Sequence, residues 1–177
     1  METDARWMAM ALSEAEQAAA AREVPVGAVL VQGDRLLWAD HNRREAQGDP
    51  TAHAEMLCLR QGAAALGNWR LEQCTLYVTL EPCPMCAGAA LMSRLGRLVY
   101  ACSDPEKGCC GSVYDLPADP LLHGCTRWHS GVGERAAAAL LRGFFQLRRS
   151  ENKTNESAGS VPPAGKTADG DTAPAES

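Results

Sequence analysis

Hydrophobic and polar residues alternate with different periods along the first 149 residues, which predicts a succession of helices and strands. Helical spacing of apolar residues predicts helices at 4–22, 53–65, 84–93 and 134–149. Runs rich in β-branched and aromatic residues predict strands at 74–80, 96–102 and 126–132. Two apolar runs around Gly33-Asp34 predict a hairpin.

The order of these elements predicts an α/β fold. The segments 74–80, 84–93 and 96–102 form a β-α-β unit, which requires a parallel strand pair and a right-handed crossover. Since the hairpin adds an antiparallel pair, we expect a mixed central sheet covered by helices.

The last part of the chain differs from the rest. From Ser150 onward the sequence lacks aromatic residues and is rich in Ser, Ala, Gly, Pro and Thr. Such a segment buries too little apolar surface to offset its chain entropy. We therefore predict one domain at 1–149 and a disordered tail at 150–177.

Composition favours a globular protein of the cytoplasm. Of the 177 residues 46% are apolar, but no apolar run approaches the ~18 residues of a membrane span. The N-terminus carries early acids and no uninterrupted apolar segment, so we predict no signal peptide. In that compartment the eight cysteines are expected to be metal ligands or free thiols, not disulfides.

The charge restricts how nucleic acid could bind. The net charge is −5, and the segment 151–177, with five acids and two lysines, carries −3 of it. The remaining −2 excludes a general basic surface, although fourteen arginines could still form a local patch.

Two short motifs carry the candidate chemistry: "TAHAEM", with His53 and Glu55, and "EPCPMC", with Cys83 and Cys86. Both cysteines follow a predicted strand and open a predicted helix, where free N–H groups and the helix dipole favour thiolates. His53 completes a set of two thiolates and one imidazole that zinc accepts, and a three-ligand site leaves a position open for water. The motifs therefore predict one catalytic zinc ion per chain.

Glu55 fits the same chemistry as a proton carrier, because a carboxylate beside activated water can move protons to the substrate and the leaving group. Residues two apart lie roughly 200° apart on a regular helix. His53 and Glu55 can converge only if His53 lies at the helix entrance, and Pro50 and Thr51 predict the helix start at that point.

Other interpretations of these motifs stay open. Cys83 and Cys86 could form a thioredoxin-like redox pair. They could also belong to a structural site of four thiolates, with partners among Cys58, Cys102, Cys109 and Cys125. A non-catalytic zinc module that binds RNA is a third alternative.

H-x-E followed by P-C-x-x-C is the pattern of zinc nucleobase deaminases. The chain also resembles the bacterial tRNA-specific adenosine deaminases from about residue 5 to 149. The resemblance is carried by "REVPVGAVLV", "DPTAHAEM", "LRQG", "TLYVTLEPCPMCAGA", "GRLVY", "GSVYDL" and "FFQLRR".

This resemblance implies a three-layer α/β/α fold of the cytidine deaminase type, a homodimer, and conversion of the wobble adenosine of an arginine tRNA anticodon to inosine. It implies zinc binding by His53, Cys83 and Cys86 and proton transfer by Glu55. It further implies that Asn42 hydrogen-bonds the flipped base and that Val26, Ala54 and Leu80 are substrate-binding residues around it. Contacts to RNA further from the base are implied for Asp104, Phe144, Phe145, Arg148 and Arg149. A deaminase of free cytosine, guanine or their nucleosides is the nearest rival within the fold.

Residues 104–110 depart from the pattern of similar proteins. Glu106 stands where a lysine is common, and Cys109-Cys110 replaces small residues. Without the resemblance, Asp104 and Asn42 could be ordinary turn residues, and we expect at least one of Phe144 and Phe145 to pack in the core.

Overall fold

The computed structural model describes residues 2–122 and 126–158. Its helices are α1 (Glu2–Ala20), α2 (Arg44–Gln47), α3 (Ala54–Leu66), α4 (Pro84–Met92) and α5 (Glu134–Ala158), with a short 3₁₀ helix at Leu116–Ala118. Its strands are β1 (Gly27–Gln32), β2 (Arg35–His41), β3 (Cys74–Leu80), β4 (Arg97–Cys102) and β5 (Arg127–Ser130). Each predicted helix and strand is present, with ends that differ by a few residues except at the end of α5.

The five strands form one mixed sheet in the order β2-β1-β3-β4-β5. β1 pairs antiparallel with β2 and β3, whereas β4 pairs parallel with β3 and β5. The predicted parallel pair of the β-α-β unit is therefore confirmed. Because β3 and β4 run in parallel with Leu80 opposite Cys102, the segments that follow both strands leave the sheet at the same end.

Helices cover both faces of the sheet. Along β1, Ala28 and Leu30 face a core shared with α3 and α4, whereas Val29 and Val31 face a core shared with α1 and α5. This alternation follows from the two-residue period of a strand that is buried on both sides. The predicted three-layer α/β/α architecture with a mixed sheet is confirmed.

The C-terminal helix is longer than predicted. α5 continues to Ala158, whereas the composition led us to predict its end at 149. The polar segment 150–158 contains neither Gly nor Pro, so nothing in it terminates a helix that has already begun. The helix thus includes nine residues of the predicted tail. Residues 159–177 lie outside the described residues, and the disorder of the tail and the domain boundary stay predictions.

The chain forms two units, Met1–Phe145 and Gln146–Ser177. Among the described residues no helix has both the length and the hydrophobicity that crossing a membrane requires.

Candidate active site

Two helix starts lie beside each other at the end of the sheet where β3 terminates. His53 precedes α3 with extended backbone (φ −75°, ψ 149°). Cys83 precedes α4 in a similar conformation (φ −70°, ψ 173°), and Pro84 occupies the first helical position. Cys86 follows within the first turn of α4. The expected position of His53 at the helix entrance is thus confirmed.

His53, Cys83 and Cys86 place their donor atoms within 4.8 Å of one another. His53 Nδ1 lies 3.7 Å from Cys83 Sγ and 3.5 Å from Cys86 Sγ. Tetrahedral zinc with bonds of about 2.3 Å to sulfur and about 2.0–2.1 Å to nitrogen requires a sulfur–nitrogen separation of roughly 3.6 Å. The three donors therefore fit a zinc ion without rearrangement.

Hydrogen bonds within this cluster shift the pKa values of its three groups in different directions. A bond from Cys86, together with one from His53, lowers the pKa of Cys83 to about 4. The bond with Cys83 and burial raise the pKa of Cys86, and the bond with Cys83 raises the pKa of His53. Because metal ligands must be deprotonated, zinc binding at this cluster should release protons.

Glu55 lies in the first turn of α3 and is only 4% exposed. Burial raises the pKa of its carboxyl group, and the charge of the neighbouring His53 opposes that rise. The extended backbone of His53 brings the two side chains to one place although they are two residues apart. A buried acid beside a metal cluster has the environment of a group that accepts and returns protons near neutral pH.

Main-chain hydrogen bonds join the segment Asn42-Arg43 to the residue before β1 and to the residue before His53. Its N–H donates to the carbonyl of Val26 (2.9 Å), and the N–H of Arg43 donates to the carbonyl of Ala52 (3.0 Å), the residue before His53. Asn42 Nδ2 donates to Glu23 Oε2 (3.1 Å). Glu23, which is 2% exposed, also accepts from the N–H of Ala46 (2.8 Å).

Three apolar candidates border the same region. Val26 is buried immediately before β1, and Ala54 is the fully buried first residue of α3. Leu80 ends β3, is half-buried and packs against both cores. Val26 accepts a main-chain hydrogen bond from Asn42, and Ala54 and Leu80 are chain neighbours of His53 and Glu81. Their role in binding a base stays a prediction.

Asp104 caps a turn with its side chain, which is the ordinary turn role that its sequence also allowed. Its Oδ1 accepts from the N–H groups of Glu106 (2.9 Å) and Lys107 (3.1 Å). The loop that follows β4, residues 103–112, is held by Glu81, a buried acid directly before Pro82 and Cys83. Contact of Asp104 with RNA stays a prediction.

The four candidates on α5 are half-buried or exposed. Phe144 is half-buried and Phe145 is 45% exposed, and their rings meet edge to face at 5.4 Å. Neither ring is fully buried, and the expectation that at least one of them packs in the core stays a prediction, with Phe144 as the more buried of the two. Arg148 and Arg149 are exposed, and their role stays a prediction.

Sequence reasoning missed Glu23 and Glu81. Glu23 directly precedes the apolar segment "VPVGAVLV", and Glu81 stands between the strand "TLYVTL" and "PCPMC". Acids are seldom fully buried without partners, so their placement among apolar neighbours was the available signal.

The four-thiolate alternative does not fit. Cys58 donates to the carbonyl of Ala28 (3.3 Å) and Cys102 to that of Thr79 (3.3 Å). Over residues 2–122 and 126–158, the metal-binding group found is His53 with Cys83 and Cys86. Cys109 and Cys110 are free thiols, as predicted, and Cys125 lies outside the described residues.

Comparison with known proteins agrees with this chemistry. The profile of the cytidine and deoxycytidylate deaminase zinc-binding region matches residues 1–102. The tRNA-specific adenosine deaminase of Bacillus subtilis (strain 168) is 42% identical over 153 residues, which cover 86% of this chain and 95% of that protein.

Two solved structures with similar folds come from deaminases that act on different bases. A structure from a study of A-to-I editing by tRNA:A34 deaminases has a TM-score of 0.75 at 41% identity, covering 77% of this chain and 99% of that one. The guanine deaminase of Nitrosomonas europaea has a TM-score of 0.67 at 27% identity, covering 79% and 83%. The fold therefore serves more than one base, and the higher identity lies with the tRNA enzymes.

These similarities support the deaminase interpretation over the redox pair and the non-catalytic zinc module. The metal donors and the buried acid occupy the positions that the zinc deaminase pattern assigns to them. The chain belongs to the cytidine and deoxycytidylate deaminase family and, within it, to the tRNA-specific adenosine deaminases.

Proposed function

We propose that this enzyme hydrolyses the wobble adenosine of a tRNA anticodon, in an arginine tRNA, to inosine and ammonia. It would bind one zinc ion per chain through His53, Cys83 and Cys86. The observation that carries the proposal is the convergence of these three donors, all within 4.8 Å, beside the buried carboxyl of Glu55. The 42% identity to a tRNA-specific adenosine deaminase supports the choice of base and of RNA.

Zinc at this site supplies a Lewis acid that activates water at neutral pH. Glu55 accepts a proton from the attacking water and donates it to N1 of adenine as oxygen adds to C6. It then transfers the second proton of the water to the exocyclic amine, which leaves as ammonia. A raised pKa suits both transfers, because the group must bind and release a proton in each turnover.

The flipped base would be held by Asn42 and surrounded by Val26, Ala54 and Leu80. Glu23 bonds Asn42 Nδ2, which leaves Asn42 Oδ1 and its second N–H for the base. The base must leave its stack to reach Glu55. An anticodon loop presents bases that are already splayed, so the cost of unstacking is lower there than in a duplex.

The RNA outside the pocket would contact Asp104, Phe144, Phe145, Arg148 and Arg149. Aromatic side chains can stack on bases, and arginines bind phosphate. Because the chain up to Ser150 has a net charge of only −2, binding must depend on such local contacts. We expect the loop 103–112 to bind phosphate less strongly than in similar proteins, because Glu106 stands where a lysine is common.

We also propose a homodimer. Several large apolar side chains of the unit Met1–Phe145 are exposed, among them Met92 (70%), Val113 (57%), Tyr114 (52%) and Leu121 (83%). Exposed apolar surface of this kind is typical of protein interfaces. Sedimentation equilibrium should give twice the mass of one chain, and a monomer at micromolar concentration would contradict this part of the proposal.

Substrate choice is the decisive experiment. Inosine formation and ammonia release should be measured with an anticodon stem-loop carrying wobble adenosine, with duplex RNA, and with free adenosine, cytidine and guanine. We expect efficient turnover of the stem-loop and very weak turnover of the others. Equal turnover of free guanine or cytidine would retain the zinc chemistry but overturn the proposed substrate.

A further inference from the structure

Glu81 is a buried acid whose hydrogen-bonding capacity is filled by one loop. It is 2% exposed and lies two residues before the metal ligand Cys83. Its Oε1 accepts from the N–H groups of Cys110 (2.9 Å) and Ser112 (3.0 Å). Its Oε2 accepts from the N–H of Asp104 (3.0 Å) and from the hydroxyl of Ser112. A carboxylate offers about four acceptor sites, so the loop 103–112 occupies all of them.

The same loop approaches the metal-ligating turn at two further points. The N–H of Cys109 donates to the carbonyl of Pro82 (2.9 Å). Gly108 lies so close to Glu81 that a Cβ added to it would clash with the carboxylate. The main chain of the loop therefore lies directly against the segment that carries Cys83.

Glu81 reaches the exposed tip of the loop through one bond. The turn 104–107 is closed by Asp104 Oδ1, which bonds the N–H groups of Glu106 and Lys107. That turn is anchored to Glu81 by the N–H of Asp104. Without this bond the turn would be tied to the Cys83 segment only through residues 109–112, so we expect its position relative to Cys83 to be less fixed.

We infer that Glu81 is a positioning residue for RNA binding, which fixes the Asp104 turn relative to the metal-ligating residues without itself touching metal or substrate. The inference rests on the proposed function, since it assumes that the loop contacts RNA. It predicts that loosening Glu81 weakens binding of the stem-loop and leaves the chemical step and the metal site intact.

Glu81→Gln isolates the bond to Asp104. A glutamine has one acceptor oxygen and one NH₂ group. With its oxygen towards the N–H groups of Cys110 and Ser112, its NH₂ faces the Ser112 hydroxyl, which can rotate and accept. The N–H of Asp104 then meets a donor and loses its partner. The opposite orientation is worse, because two N–H groups would face the NH₂.

Ser112→Ala is the matched control. It removes the hydroxyl bond to the same carboxylate but leaves the bonds of Glu81 to the N–H groups of Asp104 and Cys110 in place. Both variants should be compared with wild type for zinc content, kcat and KM on the wobble-adenosine stem-loop.

For Glu81→Gln we expect full zinc content, a kcat within about threefold of wild type, and a KM raised roughly 2- to 30-fold, the range for residues that act through a network. Ser112→Ala should keep a KM near that of wild type. An unchanged KM in Glu81→Gln would overturn the inference, and so would loss of zinc or a fall in kcat alone, since these would assign Glu81 to the metal site.

Amide hydrogen exchange of wild type provides a test that needs no variant. The N–H groups of Asp104, Cys110 and Ser112 should be protected from exchange, because Glu81 binds all three. Rapid exchange at Asp104 would overturn the inference even if Glu81→Gln does not fold. If wild type does not deaminate the stem-loop at all, the proposed function itself fails, which is a different result from an active enzyme with an insensitive KM.

Discussion

The metal cluster and the loop 103–112 lie side by side at one end of the sheet, but their positions are determined differently. Local sequence gives His53, Cys83 and Cys86 their backbone conformation at the starts of α3 and α4, and packing of the two helices against the sheet then brings the donors together. The loop has no such local rule. Its place depends on Glu81, which is 23 to 31 residues away from its partners along the chain.

This difference explains why the loop can change sequence without disturbing the site. Glu81 and Asp104 bind the loop largely through main-chain N–H groups, among them those of Glu106, Lys107 and Cys110. Side chains at these positions can therefore vary while the loop keeps its path. Cys109 and Cys110 are accommodated as buried thiols, and their substitution for small residues leaves the metal donors in place.

The metal cluster should give the largest effect when it is broken. Cys86→Ser replaces a thiolate by a hydroxyl that is harder to deprotonate and is a poorer zinc ligand. We expect loss of zinc and of all measurable deamination, checked by elemental analysis of protein purified without chelator. Cys58→Ser, at a buried thiol outside the cluster, is the control and should keep its zinc. Stoichiometric zinc in Cys86→Ser would contradict the ligand assignment.

Glu55→Ala separates the chemistry from the metal within the same region. Zinc and fold should be retained, because Glu55 is not a ligand, while kcat should fall by at least the ~10²–10⁴-fold typical of general acid–base groups. Inosine formation at saturating stem-loop concentration measures kcat, and elemental analysis of the same sample measures the zinc content. Comparable turnover would mean that another group moves the protons.

A smaller effect is expected at the arginines of α5. Arg148→Ala with Arg149→Ala should weaken stem-loop binding and reduce the slope of log affinity against log salt by about one unit or less for each lost phosphate contact. Zinc content should not change. Binding measured at several salt concentrations, with Arg135→Ala as an arginine control on the same helix, decides whether these residues contact RNA. An unchanged slope would remove them from the interface.

Asp4→Asn should affect neither region and serves as a stability reference. Asp4 binds Arg97 through two bonds (2.7 and 2.9 Å) and accepts from the hydroxyl of Tyr77 (2.7 Å). Its loss should reduce the free energy of unfolding by about 1–2 kcal/mol at neutral pH, measured by urea denaturation. Zinc content and KM should match those of wild type.

The pH dependence of that difference has a definite sign. The hydrogen bond with Arg97 holds the pKa of Asp4 well below its ordinary value near 3.8. A lowered pKa stabilises the folded state above the ordinary value, and this contribution is lost as the pH falls below about 4. The stabilities of wild type and Asp4→Asn should therefore converge in acid, and a difference that grows on acidification would contradict the assignment.

The sequence by itself determined the elements and the metal cluster. Strand and helix periods predicted the mixed sheet, and the positions of His53 and Cys83 at helix starts predicted donors that converge. The elements could be derived because they depend on neighbours in the chain: a strand has a period of two, and a helix start has a fixed geometry over three or four residues. The metal cluster could be inferred from its residue types and spacing, although its donors are 30 and 33 residues apart. The length of α5 was misjudged because apolar content predicts packing, but it does not decide where a helix ends.

Only the tertiary structure decided the roles of Glu23 and Glu81. Each is an acid next to an apolar segment, and its burial is made possible by main-chain N–H groups from distant segments: Ala46 for Glu23, and Asp104 with Cys110 and Ser112 for Glu81. Main-chain donors are the same for almost every residue type, so they leave no mark in the sequence. Which carboxylate they meet is settled only when the strands have placed the two segments side by side.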